Sequence, residues 1–183
     1  DTFHLLSESK RYSALSGGAF SITTRALSAL WEIHARCGTV PPSTEVEHAL
    51  TLVDDRDILL DEENHTAELR RFGQSVDLGA IAKGYAADEV KRILVEGGVT
   101  GALINLGGTV CVIGESRHVG IQHPDRVTGI AMGRVRLADT CAVTSGDYER
   151  FYEVDGTRYH HIVDPRTGHP SRSGLRSVTL IGT

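Results

Sequence analysis

Residues 80–114 read AIAKGYAADEVKRILVEGGVTGALINLGGTVCVIG, and the pattern changes partway through. From 80 to 96, Ile81, Tyr85, Ala86, Val90, Ile93 and Leu94 give one apolar helical face, and Gly97-Gly98 stops it. From 101 onward the apolar period is two, as in strands. Upstream, 2–15 reads as a helix, and 24–36 carries Leu27, Leu30 and Trp31 at i, i+3, i+4. Pro41-Pro42 breaks the chain. Thr44 with Glu47 predicts a capping box for a helix carrying Val46, Ala49, Leu50 and Val53. A hairpin is predicted from Ile58–Leu60 to Ala67–Arg70. Downstream, strands fit 101–106, 109–114, 118–122, 133–137, 141–144, 148–154, 158–163 and 176–181, with Asp155-Gly156 as a type I′ turn. Helices come first and hairpin-ordered strands follow. That order predicts an α+β fold with helices on a mainly antiparallel sheet, in a single domain.

Composition narrows the function. A chain of 183 residues suits one domain with a real core. Lys plus Arg is 19 and Asp plus Glu is 24, a net charge of −5 that argues against a nucleic-acid partner. A phosphate-bearing small molecule stays open, because helix N-termini and a few donors hold such ligands locally. No apolar run approaches the length of a membrane span. Cys37, Cys111 and Cys141 show no zinc spacing, and an odd count argues against a disulfide scaffold, so all three are expected as small apolar residues. The chain opens Asp1-Thr2-Phe3 and stops in Ser177–Ile181, which reads as an excised fragment.

Four clusters carry chemistry. Gly17-Gly18-Ala19-Phe20-Ser21 sits between two helices and suits either a close ligand or a plain turn. Asp77-Leu78-Gly79-Ala80 precedes the long helix, so Asp77 is either its N-cap or part of an anion site, and Gly84 hints at close packing. Asn105-Leu106-Gly107-Gly108 lies between strands, where a tight turn or bulge is the simplest reading. The fourth runs from Thr144-Ser145-Gly146-Asp147-Tyr148 to Tyr159-His160-His161-Ile162-Val163-Asp164-Pro165. Adjacent residues on a strand face opposite ways, so one histidine can face a site. A histidine near Asp164 can serve as general base, with the carboxylate fixing its tautomer. No nucleophile elbow, HExxH, Walker A or EF-hand loop occurs.

The segments DLGAIAKGYAAD (77–88), INLGGTV (104–110), TSGDYERF (144–151) and YHHIVDPRTGHP (159–170) closely resemble the ApbE family, formerly called thiamine-biosynthesis lipoproteins. GGAFS (17–21), Trp31 and Pro41-Pro42 fall where that pattern puts them. The resemblance implies an ApbE-like, T-fold-like flavin transferase domain over 1–183. Such an enzyme moves the FMN half of FAD to a Thr or Ser hydroxyl of a target flavoprotein and releases AMP, with Mg²⁺ as cofactor. It also implies His161 as the base, FAD contacts at Ala19, Phe20, Ser21, Asp77, Lys83 and Ile162, and a metal ligand at Ala80 through its backbone oxygen. An extracytoplasmic, lipid-anchored location is implied in the same way.

Ser21 and Thr109 stand where the family often has Asp. An Asp and a Thr beyond the last strand, and an N-terminal Met-Gly-Thr strand, are also expected to be missing from the fragment. Two other readings stand beside flavin transfer. One is an FAD diphosphatase giving FMN and AMP; the other is a non-catalytic FAD-binding lipoprotein.

Overall fold

A computed structural model describes residues 2–183. In chain order it contains α1 (Thr2–Leu15), α2 (Arg25–Cys37), α3 (Ser43–Leu50), a 3₁₀ turn at Asp55–Asp57, β1 (Ile58–Asp61), β2 (Thr66–Leu69) and α4 (Ala82–Glu96). Then come β3 (Ala102–Asn105), β4 (Thr109–Ile113), β5 (Arg117–Gln122), β6 (Ala131–Leu137), β7 (Cys141–Gly146), β8 (Phe151–Val154), β9 (Thr157–His160) and β10 (Ser177–Gly182). The class is α+β and every strand pair is antiparallel, as the change of period predicts. The chain divides into two compact units: the residues up to Ile81 with Arg150–Ser173, and Ala82–Glu149 with Gly174–Thr183.

The first unit packs α2 against α3 through Leu27, Trp31, Val46 and Ala49, joined by Tyr152, Tyr159 and Val163. Trp31 stacks on Tyr159 with ring centres 5.5 Å apart, and Tyr152 stacks on Tyr159 at 5.4 Å. The indole N–H of Trp31 donates to the Gly168 carbonyl at 2.8 Å, so its polar atom is satisfied inside the core. Gly168 has φ +74°, and a Cβ there would lie 2.8 Å from Val46 Cγ1 and 3.2 Å from Leu27 Cδ2. Only glycine fits both that backbone and that space. A second core joins Leu6, Ile22 and Ile58. The β8–β9 hairpin turns through Asp155 at φ 49° and Gly156 at φ 72°, the positive pair that a type I′ turn needs.

The second unit is a four-stranded sheet in the order β10-β7-β4-β3. Along β4, Cys111 and Ile113 join Ala87 of α4 in one cluster, while Val112 joins Leu137 and Ala142 in another. Alternate residues therefore enter different cores, as a strand buried on both faces requires. Val119 and Val135 of the β5–β6 hairpin pack on the second cluster.

Four local expectations are corrected. Cys111 and Cys141 are not thiols: they form a disulfide, and Cys37 alone is free. The β4–β7 register sets the two cysteines directly opposite, a juxtaposition that a separation of 30 residues does not announce. α3 begins at Ser43 after Pro42, with no side-chain cap bond, so Thr44 lies inside the helix and makes no capping box. Val53 falls beyond the helix end. α4 starts at Ala82, not 80, and buries Ala87 with Leu94 packed beside it; Ala86, Val90 and Ile93 are exposed. Gly84 has nothing within 4 Å of a built Cβ, so close packing does not explain it.

Candidate functional site

The Ala19–Ser21 stretch follows the turn at Gly17 and Gly18, whose φ values of 60° and 80° carry the chain out of α1. Ser21 then donates its hydroxyl to Asp55 Oδ1 at 2.7 Å. The Thr23 hydroxyl reaches the same oxygen at 2.7 Å and the Thr23 N–H at 3.0 Å, while the Ile22 N–H donates to Oδ2 at 3.2 Å. Asp55 is only 6% exposed, and these four donors are what makes burying its charge tolerable. It anchors the loop that presents Ala19, Phe20 and Ser21. Sequence reasoning missed it; the signal was the charged triplet Asp55-Arg56-Asp57 ahead of apolar Ile58–Leu60.

Asp77 lies beside this stretch. Its N–H donates to the Ile22 carbonyl at 2.8 Å, and Phe20, Val76 and Leu78 share the core around Ile22. The Asp77 carboxylate accepts from the Gly79 N–H at 2.8 Å, closing a turn five residues before α4 begins. Asp77 is therefore not the N-cap of α4. It tightens the loop on which Ala80 is exposed.

A cleft of about 630 Å³ opens over this region, lined by Lys10, Gly17, Gly18, Ser21, Arg56 and Pro165. That is the size of a small-molecule site. Pro165 comes from the turn after His161, so the first and fourth sequence clusters border one cavity. Arg56 clasps Asp54 with Nε to Oδ1 at 2.9 Å and Nη2 to Oδ2 at 2.7 Å, which holds the Asp54 carboxyl at about 2.

The histidine pair resolves by hydrogen bonding. His160 closes β9, where its Nε2 reaches the Ser171 carbonyl at 3.0 Å and its Nδ1 accepts the Ile162 N–H at 3.3 Å. Both ring nitrogens are thus spent on backbone, and His160 is structural. His161 is exposed, and its Nδ1 lies 3.3 Å from the Arg150 carbonyl, which also accepts the His161 N–H at 3.2 Å. A carbonyl only accepts, so Nδ1 carries the proton and Nε2 holds the basic lone pair of the neutral ring. The expected carboxylate does not fix this tautomer. Asp164 instead pairs with Arg166 at 2.8 Å, and the guanidinium holds its carboxyl below the usual range. Ile162 follows, half-buried.

In the second unit, Lys83 on α4 donates its ammonium to the Gly107 carbonyl at 2.8 Å. The Gly108 carbonyl accepts from the Thr144 N–H at 2.7 Å, and Asn105 Oδ1 accepts from the Gly107 N–H at 3.1 Å. Gly107 and Gly108, at φ 65° and 81°, make the predicted tight turn between β3 and β4. Lys83, the Gly-Gly turn and Thr144 are thereby brought together. Thr109 is buried at the start of β4.

No group of three or more His, Cys, Asp or Glu able to hold an ion occurs among the described residues, and Ala80 offers only a backbone oxygen.

Comparison with known proteins gives the family of the chain. A profile described as the ApbE family matches residues 1–183. The chain is 39% identical over 181 residues to the FAD:protein FMN transferase of Klebsiella pneumoniae strain 342, covering 99% of the chain and 57% of that protein. It is 35% identical over 196 residues to the FAD:protein FMN transferase of Treponema pallidum strain Nichols, covering 97% and 54%. The crystal structure of the ApbE protein from Thermotoga maritima superposes with a TM-score of 0.89 at 34% identity, covering 98% of this chain and 60% of that one. The chain thus spans about half the length of the curated relatives it matches.

Proposed function

The chain belongs to the ApbE family, and on that premise we propose that the full-length protein transfers the FMN moiety of FAD to a Thr or Ser hydroxyl of an acceptor flavoprotein. The observation that carries this reading is the division of labour between the two histidines. His160 has both ring nitrogens on backbone, and His161 is exposed with its Nδ1 against the Arg150 carbonyl. In the proposed step, Nε2 takes the acceptor hydroxyl proton and the hydroxyl oxygen bonds to the phosphorus on the FMN side of the diphosphate. The bond from that phosphorus to the bridging oxygen breaks and AMP leaves. Nearly all of the rate must come from alignment and charge stabilisation, with the base adding about 10²–10⁴-fold. The cleft bordered by Gly17, Gly18, Ser21 and Pro165 supports an FAD contact at Ser21, and contacts at Ala19, Phe20, Asp77 and Ile162 are proposed from membership of the family. Lys83 belongs to the same proposal through its hold on the Gly107 turn. Mg²⁺ dependence is proposed for the full-length protein, with Ala80 offering a backbone oxygen to the ion.

An extracytoplasmic location is also proposed, supported by the Cys111–Cys141 disulfide, because such bonds persist in oxidising compartments. The test of function is to incubate the full-length protein with FAD, Mg²⁺ and an acceptor fragment, and to read covalent flavin by in-gel fluorescence. His161→Ala is expected to lower the rate about 10²–10⁴-fold with FAD affinity kept. Transfer unaffected by His161→Ala would refute the base assignment. Release of FMN and AMP with no flavinylated acceptor would favour the diphosphatase reading.

A further inference from the structure

The β5–β6 hairpin has a charge and polarity pattern that neither the sheet nor flavin chemistry uses. It carries Arg117, Arg126, Arg134 and Arg136 against a single acid, Asp125, in a chain of net −5. Asp125 is already engaged by Arg176 at 2.8 Å. None of the four arginines has an ion-pair partner among the described residues. Along β6 the residues alternate. Val135 and Leu137 turn inward onto Val112 and Ala142, while Met132, Arg134 and Arg136 are all exposed on the other face. His118 stands opposite Arg136 in the register, also exposed. At the turn end, Val127 is 78% exposed, Met132 62% and Ile130 49%.

The hairpin therefore shows Val127, Ile130 and Met132 at its turn end, beside Arg126 and Asp125, and is cationic along its stem through Arg117, Arg134 and Arg136. With a rise of about 3.4 Å per residue, Arg134 lies about 7 Å and Arg136 about 14 Å behind Met132. A protein interface places apolar residues at its centre with a charged rim around them. Here the exposed apolar residues gather at the turn beside Arg126, and the other three arginines lie behind them along the stem. That gradient matches the depth profile of a bilayer surface, where apolar side chains enter about 5–10 Å into the headgroup boundary and arginines stay level with the phosphates. We propose that the β5–β6 hairpin docks, turn first, on a surface of anionic phospholipid. The inference is independent of the flavin-transfer reading.

The experiment is sedimentation of the full-length polypeptide, free of any lipid modification, with vesicles of phosphatidylcholine containing phosphatidylglycerol. Binding is expected to the anionic vesicles and not to pure phosphatidylcholine, and to weaken with added salt. Arg134→Gln/Arg136→Gln should weaken it about 25-fold, at about fivefold per arginine. Val127→Ser/Met132→Ser should weaken it also at high salt. The control is Arg25→Gln/Arg92→Gln, which removes the same charge from helices where each arginine is paired with glutamate, and binding should be unchanged. The hairpin side chains and Arg92 are exposed and Arg25 is half-buried on the first turn of α2, so each variant should melt with the parent. Three results overturn the proposal: no binding of the parent to anionic vesicles, binding indifferent to both hairpin variants, or an equal loss in the control. Capture of an acidic protein through the hairpin without vesicle binding overturns it as well.

Discussion

Reducing the bond between Cys111 and Cys141 should cost the folded protein a defined amount of stability. The two residues are 30 apart, and the bond closes the whole β5–β6 hairpin into one loop. For a loop of that length the chain-entropy relation gives about 3.6 kcal/mol of stabilisation, by narrowing the unfolded ensemble. For a protein of this size each kcal/mol is about 2–4 °C of Tm, so the expected fall is about 7–14 °C. The assay is a thermal melt with and without a phosphine reductant, repeated on Cys111→Ala/Cys141→Ala. The double variant should melt low in both conditions and no longer respond to reductant. Cys37 is free and exposed, so it provides an internal label that alkylates in either state. Peptide mapping without reductant should find 111 and 141 on one linked species. If both alkylate freely in the untreated protein, or if reduction leaves the Tm unchanged, the reasoning from register to bond to stability fails.

Asp77→Ala should weaken FAD binding by the full-length protein, because the turn onto Gly79 opens; fluorescence quenching measures this, and unchanged affinity would remove Asp77 from the site. His160→Ala should lower the Tm more than it slows single-turnover transfer, since its ring ties Ser171 to Ile162, and a loss of chemistry with an unchanged Tm would invert the assignment of the pair. Gly168→Ala should destabilise by about 2–4 kcal/mol in a urea melt, combining overlap with Val46 and Leu27 with a left-handed backbone. For pH, Arg56 holds Asp54 at about 2, below its unfolded value. Its contribution is therefore complete above about pH 4 and is lost as pH falls through the folded value, kept small by solvent screening. Asp54→Asn should accordingly lower the urea midpoint at neutral pH, by an amount that shrinks as pH falls toward 2.

Much of the architecture was legible in the residues. The switch from period 3.6 to period 2 after Gly98 announced a helix followed by strands, because side-chain direction in each element is set locally by backbone geometry, and the hairpin order of those strands pointed to antiparallel pairing. The Asp155-Gly156 turn was equally local: both residues take positive φ, which that pair tolerates and most others do not. The Gly17–Ser21 and His160–Asp164 segments were legible as candidate chemistry for the same reason, since their residue types sit together in the chain.

Whatever depends on pairing distant residues was decided only in three dimensions. The strand register turned Cys111 and Cys141 from two small apolar residues into a covalent bond. The fold carried Asp55 to the backbone of Ile22 and Thr23, across more than 30 residues, and so made it the anchor of the Ser21 loop. On α4 it buried Ala87 and left Val90 and Ile93 exposed, because which stripe of a helix meets a sheet depends on the partner as well as the helix. Sequence proximity proposed Asp164 as the group orienting His161, yet the tautomer is set by the Arg150 carbonyl, eleven residues earlier in the chain. Sequence fixes what each residue can donate or accept, and the fold's long-range contacts select which of those bonds is made.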